Sequence, residues 1–304
     1  MAKTRRLNPL IALAMLLTIG VLWGLQFAML KIASSAGYPE INVLMVTLVL
    51  LSIAFVLIVI VRREFFSINR ERAIFILITC LLGYVIPLLA GIYAAPHIKA
   101  GVLILVISLT PMVSIATALL LRSERVSLAR ILAVFLGALS ITLVLWPELE
   151  LPGWGKAFWI AVAFLVPLTY GIESVYIDIK WPKGLSALQM VAAETTGAMV
   201  FVLPLFLIFG DLTLTSFDLG KAELAIAIFA AAGVIESILF FHLIRDTGGV
   251  LVSFGSFVSL FAGVAWGIIL FSESYGATVW LAVAVLAVAL FLAAADRSHK
   301  VDEN

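Results

Sequence analysis

An all-α integral membrane protein of ten transmembrane helices, built as two inverted five-helix repeats with both termini in the cytoplasm, is the fold this sequence predicts. Three observations carry the expectation. The chain has 304 residues, 64% of them hydrophobic and 12% charged, with a mean hydropathy of +1.21. Its basic residues gather on one side of the predicted membrane. Its second half repeats the first at a nearly constant offset.

A soluble domain is roughly 45–50% apolar and about 25% charged, so this chain carries more apolar surface than one water-facing core can hide. A soluble globular fold, a disordered chain and a disulfide-rich secreted fold are excluded. The net charge of +1 gives no ground for nucleic-acid binding, and the single cysteine, Cys80, permits neither an intramolecular disulfide nor a Cys-based zinc cluster.

A spanning helix needs about 20 mostly apolar residues. Ten runs qualify, at 10–30, 42–61, 73–95, 100–121, 128–146, 157–177, 187–209, 222–244, 249–271 and 277–295. They are continuously apolar, not alternating, which excludes a barrel. The first run follows Lys3, Arg5 and Arg6 and resembles a signal peptide in its basic start. Its apolar stretch exceeds the roughly 7–15 residues of a signal core, so it is read as a retained span. Connections are too short for a soluble domain. With the N-terminus inside, 15 of the 19 Lys and Arg fall on the cytoplasmic side, and Lys31, Lys99, Lys156 and Lys221 fall outside. That split sets the orientation and requires an even number of crossings.

Shifting the chain along itself lays WGLQFAMLK (23–31) over YGIESVYID (170–178), so Gln26 meets Glu173 and Lys31 meets Asp178. AGVL (100–103) falls on GGVL (248–251), and LRSE (121–124) meets the segment of FSES (271–274) at an offset of 149, pairing Glu124 with Glu273. Offsets of 147–149 place span one on six, four on nine and five on ten. Repeat one is 8–146 and repeat two 156–295. An odd number of spans per repeat inverts the second half in the bilayer, the architecture of secondary transporters with a site near the midplane.

These segments also resemble a family. PHIKAGVLILVISLTPMVSIATALLLRSERVS (96–127), with Ala100-Gly101, Pro111 and Glu124, looks like the third-to-fourth-span segment of the EamA-type drug/metabolite transporter superfamily. GGVLVSFGSFVSLFAGVAWGIILFSES (248–274) resembles the matching part of a second unit, and the WGLQF of span one resembles the family's opening Trp-Gly pattern. The resemblance implies two EamA units and transport. The family often carries an arginine early in span two. This chain has Thr47 there, and Glu194 at the corresponding place in span seven.

Ionisable groups inside a span are costly and mark functional candidates. Three qualify: Glu173, Glu194 and Glu236. At about 1.5 Å per residue, Glu194 and Glu236 lie roughly 10–14 Å from the cytoplasmic ends of their spans. Glu173 is read as shallower, close enough to the end to reach the interface or Lys180. The first half offers Gln26 in place of a carboxylate. Burial and close like charges both disfavour an ionised carboxyl, so such a group suits proton coupling or the binding of an ammonium ion. The plain alternative is a glutamate hydrogen-bonded between helices that fixes packing.

Trp23, Tyr84, Tyr170 and Trp266 are further substrate-binding candidates. For each of them taken singly, as for Tyr93, a packed or lipid-facing aromatic is the plainer reading. Trp146, Trp154, Trp159 and Trp181 read as interfacial belt residues. The intramembrane glycines read as points of close helix approach, and Pro87, Pro111, Pro167 and Pro204 as packed kinks. His97 and Lys99 occupy an external turn. His242, six positions from Glu236, lies on another helix face. Glu124 and Glu273 end their spans and read as structural.

The expected function is that of a secondary transporter in the cytoplasmic membrane of a bacterium. It would export a small amino-acid-like or drug-like metabolite by alternating access, with protons as the coupling ion and the bilayer as its surroundings. No cofactor, metal or nucleic acid is called for. An intramembrane enzyme is the competing class, but HExxH, paired intramembrane aspartates and Gly-x-Ser-x-Gly are all missing from the sequence. A channel usually needs a ring of selectivity groups. No Walker A sequence provides for ATP drive.

Overall fold

In a bilayer each backbone N–H and C=O must find its partner within the protein, so an apolar chain crosses as helix. The computed structural model describes residues 7–35, 39–94, 97, 106–121, 123, 127–145, 154–211, 220–272 and 276–299, and the regular elements among them are helices. In order they are α1 (Pro9–Ser35), α2 (Glu40–Arg62), α3 (Arg70–Cys80), a π turn (Leu81–Val85), α4 (Ile86–Ala94), α5 (Thr110–Leu120) and α6 (Leu128–Leu145). The second half follows with α7 (Trp154–Ala163), α8 (Leu165–Lys180), α9 (Ala187–Phe209), α10 (Lys221–Thr247), α11 (Gly249–Ser253), α12 (Gly255–Phe271) and α13 (Ala277–His299).

Seven helical stretches among the described residues are long and apolar enough to cross a membrane: Pro9–Gln26, Glu40–Arg62, Arg70–Gly91, Phe158–Lys180, Ala187–Phe209, Lys221–Thr247 and Gly249–Phe271. Each coincides with a run found in the sequence. Shorter apolar helices at Thr110–Leu120, Ile131–Ser140 and Trp280–Ala289 occupy the other three runs. Outward-facing side chains such as Leu10, Val61, Leu120 and Phe291 are large, apolar and exposed, as a lipid-facing surface requires. The protein is a multi-pass membrane protein.

Three runs that read as unbroken in sequence are interrupted, and three intramembrane prolines explain where. A proline has no N–H for the carbonyl four residues back. Pro167 therefore leaves Ala163 without its usual donor, and α7 ends at Ala163. Pro111 does the same to Ile107, whose carbonyl accepts instead from Thr110 Oγ1. Pro87 leaves Gly83, and the helix passes that point as a π turn in which Ile86 N–H bonds Leu81 O. Pro204 lies within α9 without a break. The turn between the runs 222–244 and 249–271 has a different origin: Gly248, at φ +90°, ends α10 and turns the chain directly into α11.

The packing is reciprocal. Helix α1 packs on α10 and α12, while α8 packs on α5 and α4. Each half thus inserts its first span against later spans of the other. Helices α2 and α9 are both 23 residues long, start 147 residues apart and pack along each other. Helices α6 and α13 form a separate pair, tied by Ser140 Oγ donating to Ala282 O at 2.7 Å. Two glycines set the close approaches. A Cβ on Gly24 of α1 would stand 2.7 Å from the Cβ of Ala262, and one on Gly171 of α8 would stand 2.6 Å from the Cβ of Val113. Gly24 and Gly171 are themselves 147 residues apart.

The larger side chain in Gly24→Val or Gly171→Val is expected to cost about 1–3 kcal/mol through forced separation of packed helices. Thermal unfolding of detergent-purified protein measures it. Gly263→Ala is the control, because its Cβ meets nothing within 4 Å, and it should leave the unfolding midpoint nearly unchanged.

Candidate functional site

The interruptions in the helices converge on a cavity of about 180 Å³, the room of roughly six water molecules at about 30 Å³ each. Trp23 and Gln26 reach it from α1, Thr47 from α2, Gly83 and Tyr84 from the π turn, and Tyr170 and Glu173 from α8. Glu194 comes from α9, Glu236, Ser237 and Phe240 from α10, and Ser253, Ser256 and Ser259 from the α11–α12 segment. The lining draws nothing from α6 or α13. Seven of the eight candidates read from the sequence are therefore gathered at one place.

Trp266 is the exception. It lies seven residues, two turns, beyond Ser259 along α12, where α1 already covers the helix. Its indole N–H donates to Val21 O at 3.2 Å. Trp266 ties α1 to α12 and does not line the cavity.

Glu173 also departs from expectation. It is 3% exposed and turned away from the interface and from Lys180. Its carboxyl meets that of Glu194 in a hydrogen bond. What seats both is Gly83, at the centre of the π turn: a Cβ there would stand 2.8 Å from Glu173 Cδ and 2.9 Å from Glu194 Oε1. π turns inside helices occur often at functional sites. Glu194 is 1% exposed, its carboxyl lies within reach of Thr79, and its Oε1 has no hydrogen-bond partner among the described residues. A hydrogen bond between two carboxyl groups contains one proton, since two carboxylates at contact cannot both stay ionised cheaply. The pair therefore carries at most one negative charge.

Glu236 is held differently. Ser237 Oγ donates to its Oε2 at 3.3 Å, and the Trp23 indole N–H also donates to the carboxyl. The Tyr84 hydroxyl lies 3.2 Å from Ser237 Oγ. With the serine proton committed to Glu236, the phenol donates to the serine. Two donors thus reach the Glu236 carboxyl directly, and a third stands behind the serine.

The remaining polar lining is rich in acceptors. Ser253, Ser256 and Ser259 each donate to the carbonyl three residues earlier, at 2.7, 2.9 and 2.9 Å. Their protons are used, and their oxygen lone pairs remain. Gln26 Nε2 donates to Phe229 O at 3.4 Å. Thr47 is 4% exposed, and its hydroxyl has no partner among the described residues. Among the described residues, no Lys, Arg or His lines the cavity.

Both ends of the α2–α9 pair are fastened. At the start of α2, Asn42 Nδ2 donates to Asp211 O at 2.7 Å and Asp211 N–H returns to Asn42 Oδ1 at 3.0 Å. At its other end, Gln189 Nε2 donates to Glu64 O at 2.9 Å, and Ser186 Oγ donates to Glu64 Oε2 at 2.8 Å. Asn42 and Gln189 are 147 residues apart, and so are Glu64 and Asp211. Arg72 strengthens the second clasp by donating to Ser67 O and Lys183 O, at 2.7 and 3.0 Å.

Sequence reasoning missed the parts that assist the carboxyls. Ser237 was signalled only by standing beside Glu236, and the three serines only by their spacing of three. Nothing local marked the π turn. His97 stacks on Trp159 with ring centroids 3.9 Å apart, and the ring of His242 contacts Ile238 O of its own helix at 2.7 Å. Trp181, read as a belt residue, packs edge-on against Phe241 and donates to Leu185 O. Lys99, Glu124 and Glu273 lie outside the described residues.

Because Gly83 makes room for Glu173, their substitutions are expected to be non-additive. Gly83→Ala should lower the unfolding midpoint. The double variant Gly83→Ala with Glu173→Ala should recover about 1 kcal/mol relative to the sum of the single effects, measured by denaturation of the purified protein.

Residues 10–146 match the model of the EamA-like transporter family. One crystal structure of a protein shares the fold with a TM-score of 0.75, covering 93% of this chain and 97% of that chain at 14% identity. At that identity the likeness is one of fold. No curated protein matches the sequence.

Proposed function

We propose that this protein, a member of the EamA-like transporter family through residues 10–146, is a secondary transporter that exports a small metabolite across the cytoplasmic membrane by alternating access. In this reading the chain crosses ten times with both termini inside. Residues 8–146 and 156–295 form two repeats related by a twofold axis in the membrane plane. Protons are the coupling ion. The function is carriage and not catalysis.

The observation that carries the reading is a cavity lined by three carboxyls, with a hydrogen-bonded clasp at each end of the α2–α9 pair. Asn42–Asp211 and Gln189–Glu64 occupy matching positions of the two repeats. An inverted repeat turns one into an outer gate and the other into a cytoplasmic gate. The reciprocal insertion of α1 and α8, with their matching glycines, agrees with the same symmetry. A cavity that opens to one side at a time needs two such fastenings, each reversible.

Transport itself is tested in proteoliposomes holding the purified protein, with labelled amines and amino acids offered with and without a pH gradient. Saturable uptake that rises with the gradient is expected. Flux that never saturates would point to a channel and defeat the proposal.

The gates make a separate expectation. In a Cys80→Ser background, a cysteine placed at Thr47 reports cavity access to a membrane-impermeant maleimide. Asn42→Ala should speed its labelling from outside, and Gln189→Ala should speed labelling from the cytoplasmic side. Equal effects from both sides would remove the assignment of the clasps as gates.

A further inference from the structure

Resting on the carrier reading, we propose that the cavity divides its two tasks. Glu236 is the docking point for the ammonium group of a small organic amine, and the Glu173–Glu194 pair is a separate proton site.

The division follows from how the carboxyls are held. Glu236 is held by donors from its own surroundings: Trp23 and Ser237 each donate to its carboxyl, and the Tyr84 hydroxyl stands behind the serine. A cation meeting it finds a carboxyl already oriented and not bonded to a second acid. Glu173 and Glu194 instead bond each other. That contact already contains a proton and can exchange it. The titratable groups facing the pair are Tyr84, Tyr170, Cys80 and Glu236. Among the described residues, no basic side chain of the lining competes for its charge.

The ligand class follows from the rest of the wall. An ammonium group brings hydrogen-bond donors and no acceptor. The wall answers with acceptors: the Glu236 carboxyl and serine oxygens whose protons are committed to the backbone. The unpartnered Thr47 hydroxyl, buried and lining the same cavity, adds another. Trp23, Tyr84, Tyr170 and Phe240 supply faces for an apolar or aromatic body and for cation–π contact. A carboxylate on the ligand would meet no lysine or arginine among the described residues of the wall and would enter among three carboxyls. The structure therefore favours an amine monocation over a zwitterionic amino acid.

Calorimetric binding to detergent-purified protein needs no transport, so its outcome is independent of the carrier reading. The probes are phenethylamine, phenylalanine and phenylacetate, which share a ring and differ in charge. Phenethylamine should bind, with phenylalanine and phenylacetate at least about tenfold weaker. Glu236→Gln should weaken phenethylamine by at least about tenfold, whereas Glu194→Gln should change it no more than about twofold. In proteoliposomes, Glu173→Gln and Glu194→Gln should keep counterflow of phenethylamine and lose its acceleration by a pH gradient. Phenylalanine binding as tightly as phenethylamine would overturn the ligand class. Equal loss of binding in Glu236→Gln and Glu194→Gln would overturn the division. Retained gradient acceleration in both pair variants would overturn the proton site. Circular dichroism and gel filtration establish that each variant is folded, and Glu236→Asp, which keeps the charge, should restore part of the binding.

Discussion

A carboxyl group taken into the membrane interior without a basic partner must be met by hydrogen bonds, by a second carboxyl or by a proton. Much of the central architecture answers that demand. Indole, serine and phenol converge on Glu236, and Glu173 and Glu194 turn to each other. The helix beside them widens into a π turn at a glycine, because a side chain at residue 83 would occupy the volume the two carboxyls fill. Each solution uses a different helix, so satisfying three acids binds α1, α8, α9, α10 and the π turn to one centre.

The prolines and the acids belong to the same design problem. Pro87, Pro111 and Pro167 each deprive a carbonyl of its helical donor, and the interruptions at Pro87 and Pro111 fall beside the cavity, whereas the one before Pro167 exposes Phe164 and Leu165. Irregular backbone at membrane depth is tolerated where it is buried in protein or lines a cavity. Thr110, which serves the carbonyl that Pro111 abandons, itself lines the cavity. The local repair and the polar wall are one residue.

Much of this was legible in the sequence because a bilayer imposes simple rules. Runs of about 20 apolar residues located the helices, and intramembrane charge located Glu194 and Glu236. What could not be read was depth set by tertiary partners. Glu173 looked shallow when counted from the end of its run, yet its neighbour is Gly83, ninety residues earlier in the chain. Trp266 carried the same aromatic signal as Trp23, and only the path of α1 separates the one that lines the cavity from the one that does not. Helical periodicity also hides breaks. The composition around Pro204 and Pro167 is equally apolar, but α9 continues through one and α8 begins just before the other. The offset of 147 was visible in Gln26 and Glu173, and it reappears in places where no motif advertised it, such as Asn42 with Gln189.

The two clasps are alike in kind and unequal in number. Asn42 and Asp211 exchange two hydrogen bonds, whereas the Gln189 end adds the Ser186–Glu64 bond and the reach of Arg72 to Lys183. A net hydrogen bond is worth about 1 kcal/mol, or about fivefold in an equilibrium constant. On the carrier reading proposed above, this lopsidedness would be a ground-state bias: the end of the α2–α9 pair held by more bonds is the more reluctant door, and whatever opens it must supply the difference in free energy.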